Sequence, residues 1–111
     1  MSDLDELADQ APRRTPLSSS QIALAVETLG TRWTHDGTDL KLTFAGPMTR
    51  TGKIAAHAGA LADELDHHPT ITLTYPGLTL AIHTHDKESV TVMDVIYAAR
   101  FERWLRSNET L

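Results

Sequence analysis

With 111 residues and a formal net charge of -5, the chain is long enough for one hydrophobic core and too acidic to favour nucleic acid or an anionic membrane surface. It has no cysteine, which excludes disulfides, thiolate nucleophiles and cysteine-bound zinc. No apolar run reaches the roughly 18 residues of a membrane span, and the acidic N-terminus is unlike a signal peptide, so we expect a cytoplasmic protein.

The first part of the chain is predicted to be a flexible lead-in, residues 1–16, to a single domain of residues 17–111. Pro12 and Pro16 interrupt the only helical spacing in this segment. We therefore expect at most one fraying turn of helix here and no part in the chemistry.

Apolar residues at helical spacing predict three helices in the domain. The first covers residues 19–29 and starts at a capping box formed by Ser18 and Gln21. The second is a long, alanine-rich helix over residues 49–66, and the third covers residues 92–105.

The third helix is predicted to start at a second capping box, formed by Thr91 and Asp94. Met93, Tyr97 and Phe101 widen the apolar surface of this helix beyond one face. A helix that is apolar on two sides needs two partners, so we expect a second subunit to cover part of it.

Two stretches of alternating apolar residues predict β-hairpins. The first has Asp36-Gly37 as its loop, which pairs Trp33 with Leu40, and the second uses Pro76-Gly77 in the same way. In both registers the apolar residues of the two strands share one face. The sequence therefore predicts an α+β fold in the order α-β-β-α-β-β-α, with three helices packed on one face of a four-stranded antiparallel sheet.

Histidines are the candidate chemical groups, and two of the six end the long helix. His67 and His68 precede Pro69, where the helix dipole favours the charged imidazolium and the proline turns the chain. Such a pair can bind two atoms of one ligand. The two side chains are equally well explained as caps for the last carbonyls of the helix.

Two more histidines, His83 and His85, lie on one face of the last predicted strand. Strict alternation turns both rings away from the helix layer that carries His67 and His68. A strand that ends or bulges near Thr84 brings His85 back, so we expect His85 to be functional and His83 to face solvent. We predict no metal, because adjacent histidines seldom converge on one ion and no pair at i, i+4 is available.

The spacing of these residues resembles the active-site signature of the pterin-4a-carbinolamine dehydratases. The resemblance covers about residues 17–105. The matching residues are Asp63, His67-His68-Pro69, Tyr75, His85 and Asp94.

This resemblance implies an enzyme that dehydrates 4a-hydroxytetrahydropterin to quinonoid dihydropterin without any cofactor. His67 and His85 are implied to be the acid and the base that flank the pterin, and His68 to orient its ring. Asp63, one helical turn before His67, is implied to hold that imidazole.

Three further residues are implied to support the reaction or to contact the substrate. Asp94 is a supporting residue by this resemblance, although its capping box accounts for it more simply. Tyr75 and Thr84 are implied to contact the pterin, although Tyr75 is explained more simply as part of the apolar face of its strand.

The resemblance also implies a homodimer or homotetramer that recycles tetrahydropterin for an aromatic amino acid hydroxylase. The alternative is a non-catalytic module, since members of this fold are also a dimerisation partner of a transcription factor and assembly helpers for another enzyme. The complete histidine set favours the enzyme, because an interaction module has no chemical use for it.

Overall fold

The structure, a computed structural model, describes residues 3–108. Within that range the elements are α1 Asp3–Ala8, α2 Ser19–Leu29, β1 Trp33–Asp36, β2 Asp39–Ala45, α3 Met48–Leu65, β3 Thr70–Thr74, β4 Gly77–Ile82, a 3-10 helix His85–Lys87 and α4 Val92–Ser107. The strands form one antiparallel sheet in the order β1-β2-β4-β3. The predicted α+β fold is confirmed, with one helix more than expected, and the packing of the helices on a single face stays a prediction.

Buried apolar residues of the sheet and of the helices form the core. Every second residue of β4 is buried, as are Leu40 and Leu42 of β2, because successive side chains of a strand point to opposite faces. These side chains form one cluster with residues of all four helices. Each fully buried leucine contributes about 1.5–3 kcal/mol of transfer free energy.

The three predicted helices are confirmed, with boundaries that differ by no more than two residues. At the start of α2, the side chain of Ser18 accepts a hydrogen bond from the backbone N–H of Gln21, and the Gln21 side chain accepts one from the N–H of Ser18. Thr91 and Asp94 form the second capping box at the start of α4. Local sequence therefore determines where these two helices begin.

The loop of the first hairpin is Gly37-Thr38 rather than Asp36-Gly37. Gly37 has φ 62° and is the first residue of the loop, a position in which glycine is favoured when only that residue has positive φ. The register therefore shifts by two residues. The same side chains stay on the buried face because the strand period is also two.

The loop of the second hairpin is Tyr75-Pro76 rather than Pro76-Gly77, again a shift of two residues in register. Gly77 belongs to β4, where a Cβ would lie 3.2 Å from the carbonyl oxygen of Phe44. The glycine thus permits a close approach between β4 and β2 instead of forming the turn.

The segment predicted as a flexible lead-in contains α1, which packs against α4. Leu4 and Ala8 are buried, and Nη1 of Arg103 lies 3.1 Å from a carboxylate oxygen of Asp5 and of Asp9. The expectation of at most one fraying turn is wrong, because contacts with α4 that no local pattern reveals hold this helix.

The chain is attached again beyond α1. The backbone N–H of Val92 donates to the carbonyl of Thr15 at 3.1 Å, and that of Leu17 donates to Val90 at 3.1 Å. The division of the chain into residues 1–16 and 17–111, and the flexibility of the first part, stay predictions.

The apolar surface of α4 is covered within the single chain. Met93 is 8% exposed, and Tyr97 and Phe101 are 0% exposed. Both α1 and α3 pack against this helix. The expectation that α4 leaves apolar surface for a second subunit is therefore wrong, and oligomer formation stays a prediction on other grounds.

Glu102 of α4 is a buried carboxylate that connects α4 to the start of the sheet. It accepts hydrogen bonds from Nε and Nη2 of Arg32 at 3.1 and 2.9 Å, from the Trp33 indole at 3.0 Å and from Nε of Arg106 at 2.8 Å. Burial raises the pKa of Glu102, but these hydrogen bonds outweigh burial and hold that pKa below its ordinary value.

No helix within residues 3–108 has the length and apolar character to cross a membrane.

Candidate active site

His67, which follows the end of α3, and Asp94, in the first turn of α4, form the centre of the candidate site. Nε2 of His67 lies 2.5 Å from Oδ1 of Asp94. The His67 side chain is 13% exposed and the Asp94 side chain is 0% exposed. Because the carboxylate occupies Nε2, the other ring nitrogen, Nδ1, is left for exchange of a proton with a ligand.

The second oxygen of Asp94 is bound by its own surroundings. Oδ2 accepts from the backbone N–H of Thr91 at 2.8 Å and from the hydroxyl of Thr84 at 2.8 Å. The Thr84 and Thr91 hydroxyls lie 2.6 Å apart. Asp94 therefore closes the helix cap and orients His67 at the same time, so the two interpretations of this residue are compatible.

The long helix ends in a way that directs His67 toward Asp94. Asp66 adopts the left-handed conformation with φ 48°, and its N–H and that of His67 bond to the carbonyls of Asp63 and Ala62. This is the hydrogen-bond pattern of a Schellman motif. The backbone of His67, rather than its ring, caps the helix, so the ring is free to bind Asp94.

Asp63 holds a different histidine from the one predicted. Its Oδ1 lies 3.1 Å from Nε2 of His68, and both side chains are exposed. The expectation that Asp63 holds His67 is wrong, because the chain turns after Leu65 and the five-residue separation brings His68 over the carboxylate instead. An exposed pair of this kind contributes about 0–1 kcal/mol.

The second hairpin brings His85 to the same place. Strand β4 ends at Ile82, and His85 is the first residue of the 3-10 helix. The N–H of Thr84 donates to the carbonyl of Ser89 at 3.0 Å, which closes a short loop around that helix. The predicted end of the strand near Thr84 is confirmed and removes the conflict with strand alternation.

His83 is not simply a solvent-facing residue. Its Nδ1 lies 2.7 Å from Oδ1 of Asp39, and both side chains are roughly three-quarters buried. Its ring centroid lies 5.6 Å from that of His85. Leu40 pairs with Ile82 at the end of the β2–β4 register, and one step further along the strands Asp39 lies opposite His83. The contact therefore follows from the pairing of the strands and cannot be predicted from the local sequence pattern.

These histidines line one open cleft of about 610 Å³. His67 and His68 come from the end of α3, and His83 and His85 from the end of β4. The complete lining is Pro12, Arg13, Arg14, Leu65, Asp66, His67, His68, His83, His85 and Met93. Sequence reasoning weighed His83 but expected it to face solvent, and it did not include the two arginines, whose proximity to the histidines has no signal in their spacing.

Two of the predicted substrate contacts lie elsewhere. Tyr75 is 75% exposed in the hairpin loop, at the far end of β3 from His68, and neither packs on the apolar face of its strand nor lines the cleft. Thr84 is buried beneath Asp94 and does not line the cleft. Their contact with a substrate stays a prediction that these positions do not favour.

The arrangement is suited to proton transfer. Histidine exchanges protons near neutral pH, and His67 and His83 are each held by a carboxylate, which fixes the ring and its tautomer. Within residues 3–108 no group of three or more histidine, aspartate or glutamate side chains is placed to hold a metal ion.

Fold and site together define a class of protein, a small α+β domain with a histidine-lined cleft. The chain belongs to the pterin 4 alpha carbinolamine dehydratase family, whose model matches residues 15–104.

Individual relatives agree with this family. A Streptomyces coelicolor protein provisionally named for the family is 35% identical over 97 residues, which cover 78% of this chain and 87% of the relative. A Natronomonas pharaonis protein, also provisionally named for it, is 34% identical over 71 residues, 63% of this chain and 77% of the relative. The crystal structure of a transcriptional coactivator/pterin dehydratase from Brucella melitensis matches with a TM-score of 0.72 and 25% identity, over 80% of this chain and 97% of that one.

Proposed function

We propose that this chain dehydrates 4a-hydroxytetrahydropterin to quinonoid dihydropterin by acid/base catalysis, as a hydro-lyase in tetrahydropterin recycling. The observation that carries the proposal is the position of His67, His68 and His85 around one cleft. Family membership supplies the substrate class.

In the proposed reaction, one imidazolium donates a proton to the 4a-hydroxyl group and the C4a–O bond breaks. A second, neutral imidazole accepts the proton from N5 as the N5=C4a double bond forms, and water leaves. His67 and His85 are the proposed acid and base, and either assignment balances the protons. The exchange of one proton between the two rings, directly or through water, then restores the starting state.

The remaining groups bind and orient. His68 lines the cleft beside His67, and its proposed role is to orient the pterin ring by a hydrogen bond. Asp94 holds His67 in one orientation, so the catalytic ring loses little freedom when the substrate binds. No step in this scheme requires a metal or an organic cofactor.

The test is a coupled assay with freshly generated 4a-hydroxytetrahydropterin. We expect the double variant His67→Ala/His85→Ala to lower kcat about 100-fold or more, since general acid–base groups contribute about 10²–10⁴-fold. His35→Ala is the matched control, because this exposed histidine lies in β1 outside the cleft lining. Equal rates for the wild type and the double variant would contradict the proposal.

A second candidate function is a non-catalytic binding module, because the Brucella melitensis structure carries the name of a transcriptional coactivator as well as of a dehydratase. A chain that neither binds pterin in a fluorescence titration nor accelerates dehydration would favour this alternative. A hydroxylase gene next to the gene for this chain would favour the enzyme. Light scattering on the purified chain tests the expected homodimer or homotetramer under either function.

A further inference from the structure

One wall of the cleft lies outside the residues that the family model matches. The match begins at residue 15, whereas Pro12, Arg13 and Arg14 also line the cleft. We call these three residues the arm wall. The histidines belong to the family match, so the arm wall adds a surface to the site that the family model does not include.

The chain fixes the arm wall in place from both sides. Before it, Nε of Arg100 donates to the carbonyl of Ala8 at 2.9 Å and anchors the end of α1 on α4. After it, the carbonyl of Thr15 accepts from Val92. Between these anchors Arg14 forms an ion pair with Asp86, which lies next to His85 in the 3-10 helix. The backbone is therefore anchored on both sides of the arm wall, and the exposed ion pair of Arg14 adds a weaker contact to the 3-10 helix.

The lining of the cleft holds two guanidinium groups, those of Arg13 and Arg14, and one carboxylate, that of Asp66. Carboxylates next to the lining are already paired with its members, Asp86 with Arg14, Asp94 with His67 and Asp39 with His83. The four histidines of the lining add positive charge whenever they are protonated. Within residues 3–108, Arg13 makes no ion pair or hydrogen bond, so its donors are available to a ligand.

We propose that the arm wall is the specificity-determining part of the site, and that Arg13 and Arg14 bind an anionic group on the side chain of the pterin. The inference rests on the proposed pterin site. A cleft of about 610 Å³ lies within the range for drug-sized ligands, roughly 300–1,000 Å³, which leaves room for a substituent beside the ring. A guanidinium group presents a fork of donors that matches the oxygens of a carboxylate.

The test is a comparison of two stable pterins, 6-carboxypterin and the neutral 6-hydroxymethylpterin, by fluorescence titration of the full chain. We expect the carboxylated pterin to bind about five- to tenfold more tightly, in line with a charge-assisted hydrogen bond in a partly solvated site. The preference falls as salt increases, because the interacting charges are partly exposed. This salt series needs only the wild-type chain.

The double variant Arg13→Gln/Arg14→Gln removes the preference, and the readout is the ratio of the two affinities, because the variant also loses the ion pair of Arg14 with Asp86. Arg13→Lys/Arg14→Lys keeps part of the preference for 6-carboxypterin, because the positive charge remains. The preference is not complete, because lysine lacks the planar fork of donors. Lys53→Gln is the matched control for the loss of positive charge, since Lys53 is exposed on α3 outside the cleft lining, and it leaves the preference intact.

Equal affinity of the wild type for the two pterins overturns the inference, as does an equal loss of preference in Lys53→Gln. The dehydratase assay separates this result from a failure of the proposed function. Dehydration without a preference for 6-carboxypterin contradicts only the anion subsite, whereas a preference without dehydration contradicts only the proposed reaction.

Discussion

Nε2 of His67 and Oδ1 of Asp94 lie 2.5 Å apart, so a residue in the first turn of α4 fixes the ring of the histidine that follows α3. Asp94 lies three residues after Thr91 and closes the cap of α4 with its other oxygen. The orientation of a candidate catalytic ring is therefore coupled to the start of the most buried helix. Residues that act through Asp94 are predicted to affect turnover without touching the substrate.

Asp94→Asn tests this coupling directly. An asparagine can still accept from Thr91, but it presents an amide N–H₂ group or a neutral oxygen to His67, so the ring loses its anionic partner. We expect kcat to fall about 100-fold. Asp63→Asn is the matched control, because the exposed pair of Asp63 with His68 contributes little, and we expect it to change kcat less than about threefold. Similar losses in the two variants would show that the buried pair has no special role.

Thr84→Val distinguishes a positioning role for Thr84 from contact with the substrate. Valine keeps the shape but removes the hydroxyl that donates to Asp94. We expect kcat to fall about tenfold with KM nearly unchanged, and Thr84→Ser to restore most of the activity. A rise in KM with unchanged kcat would instead support the predicted substrate contact. Thermal unfolding of each variant checks that the fold is retained.

Tyr97→Phe is predicted to lower the free energy of unfolding, because it removes one buried hydrogen bond. The buried hydroxyl of Tyr97 donates to the carbonyl of Ala58 at 2.6 Å and ties α4 to α3. Burial raises the pKa of Tyr97, so the hydroxyl stays protonated and keeps donating. The loss of this hydrogen bond costs about 1 kcal/mol, or about 5 °C in Tm. Tyr75→Phe, in the exposed hairpin loop, provides the control, and a Tm shift as large as that of Tyr97→Phe would count against the assignment.

Glu102 predicts the response of the fold to acid. Its pKa in the folded chain is lowered from the ordinary value of 4.5, so the network with Arg32 and Arg106 stabilises the fold fully above that value. This stabilisation is lost as the pH falls from the ordinary value of 4.5 through the lower pKa that Glu102 has in the folded chain. Glu102→Gln, which carries no titrating carboxylate, removes this part of the pH dependence.

Urea unfolding from about pH 7 to about pH 3 measures the effect. The variant is expected to be about 1–2 kcal/mol less stable at neutral pH, because the buried carboxylate loses its charge-assisted hydrogen bonds to the partly exposed Arg32 and Arg106. The difference between the wild type and the variant narrows as the pH falls below 4.5. A constant difference across this range would mean that Glu102 does not titrate in the way described.

The sequence came close to the fold because its helix starts and apolar faces are encoded locally. Ser18 with Gln21, and Thr91 with Asp94, are side chains three residues apart that bind each other's backbone, so no distant contact is needed to predict them. In both hairpins the observed register of the strands differs from the predicted register by two residues. Their buried faces were still predicted correctly, since a shift of two preserves the alternation.

The sequence did not predict α1, because the evidence for it is distant. Leu4 and Ala8 are two apolar positions in a short segment, too few to indicate a helix. Their partners lie on α4, about a hundred residues along the chain, where Arg103 also pairs with Asp5. A helix of this length is stable only when tertiary contacts hold it.

By itself the sequence determined the candidate residues, since His67-His68-Pro69 and His85 stand at spacings that mark the end of a helix and the end of a hairpin. Only the tertiary structure decided the pairings: Asp94 holds His67, Asp39 holds His83, and the arm wall lines the same cleft as both histidines. The physical reason is distance along the chain. Spacing constrains neighbours within a turn or a strand pair, whereas a hydrogen bond between elements depends on how their buried faces pack.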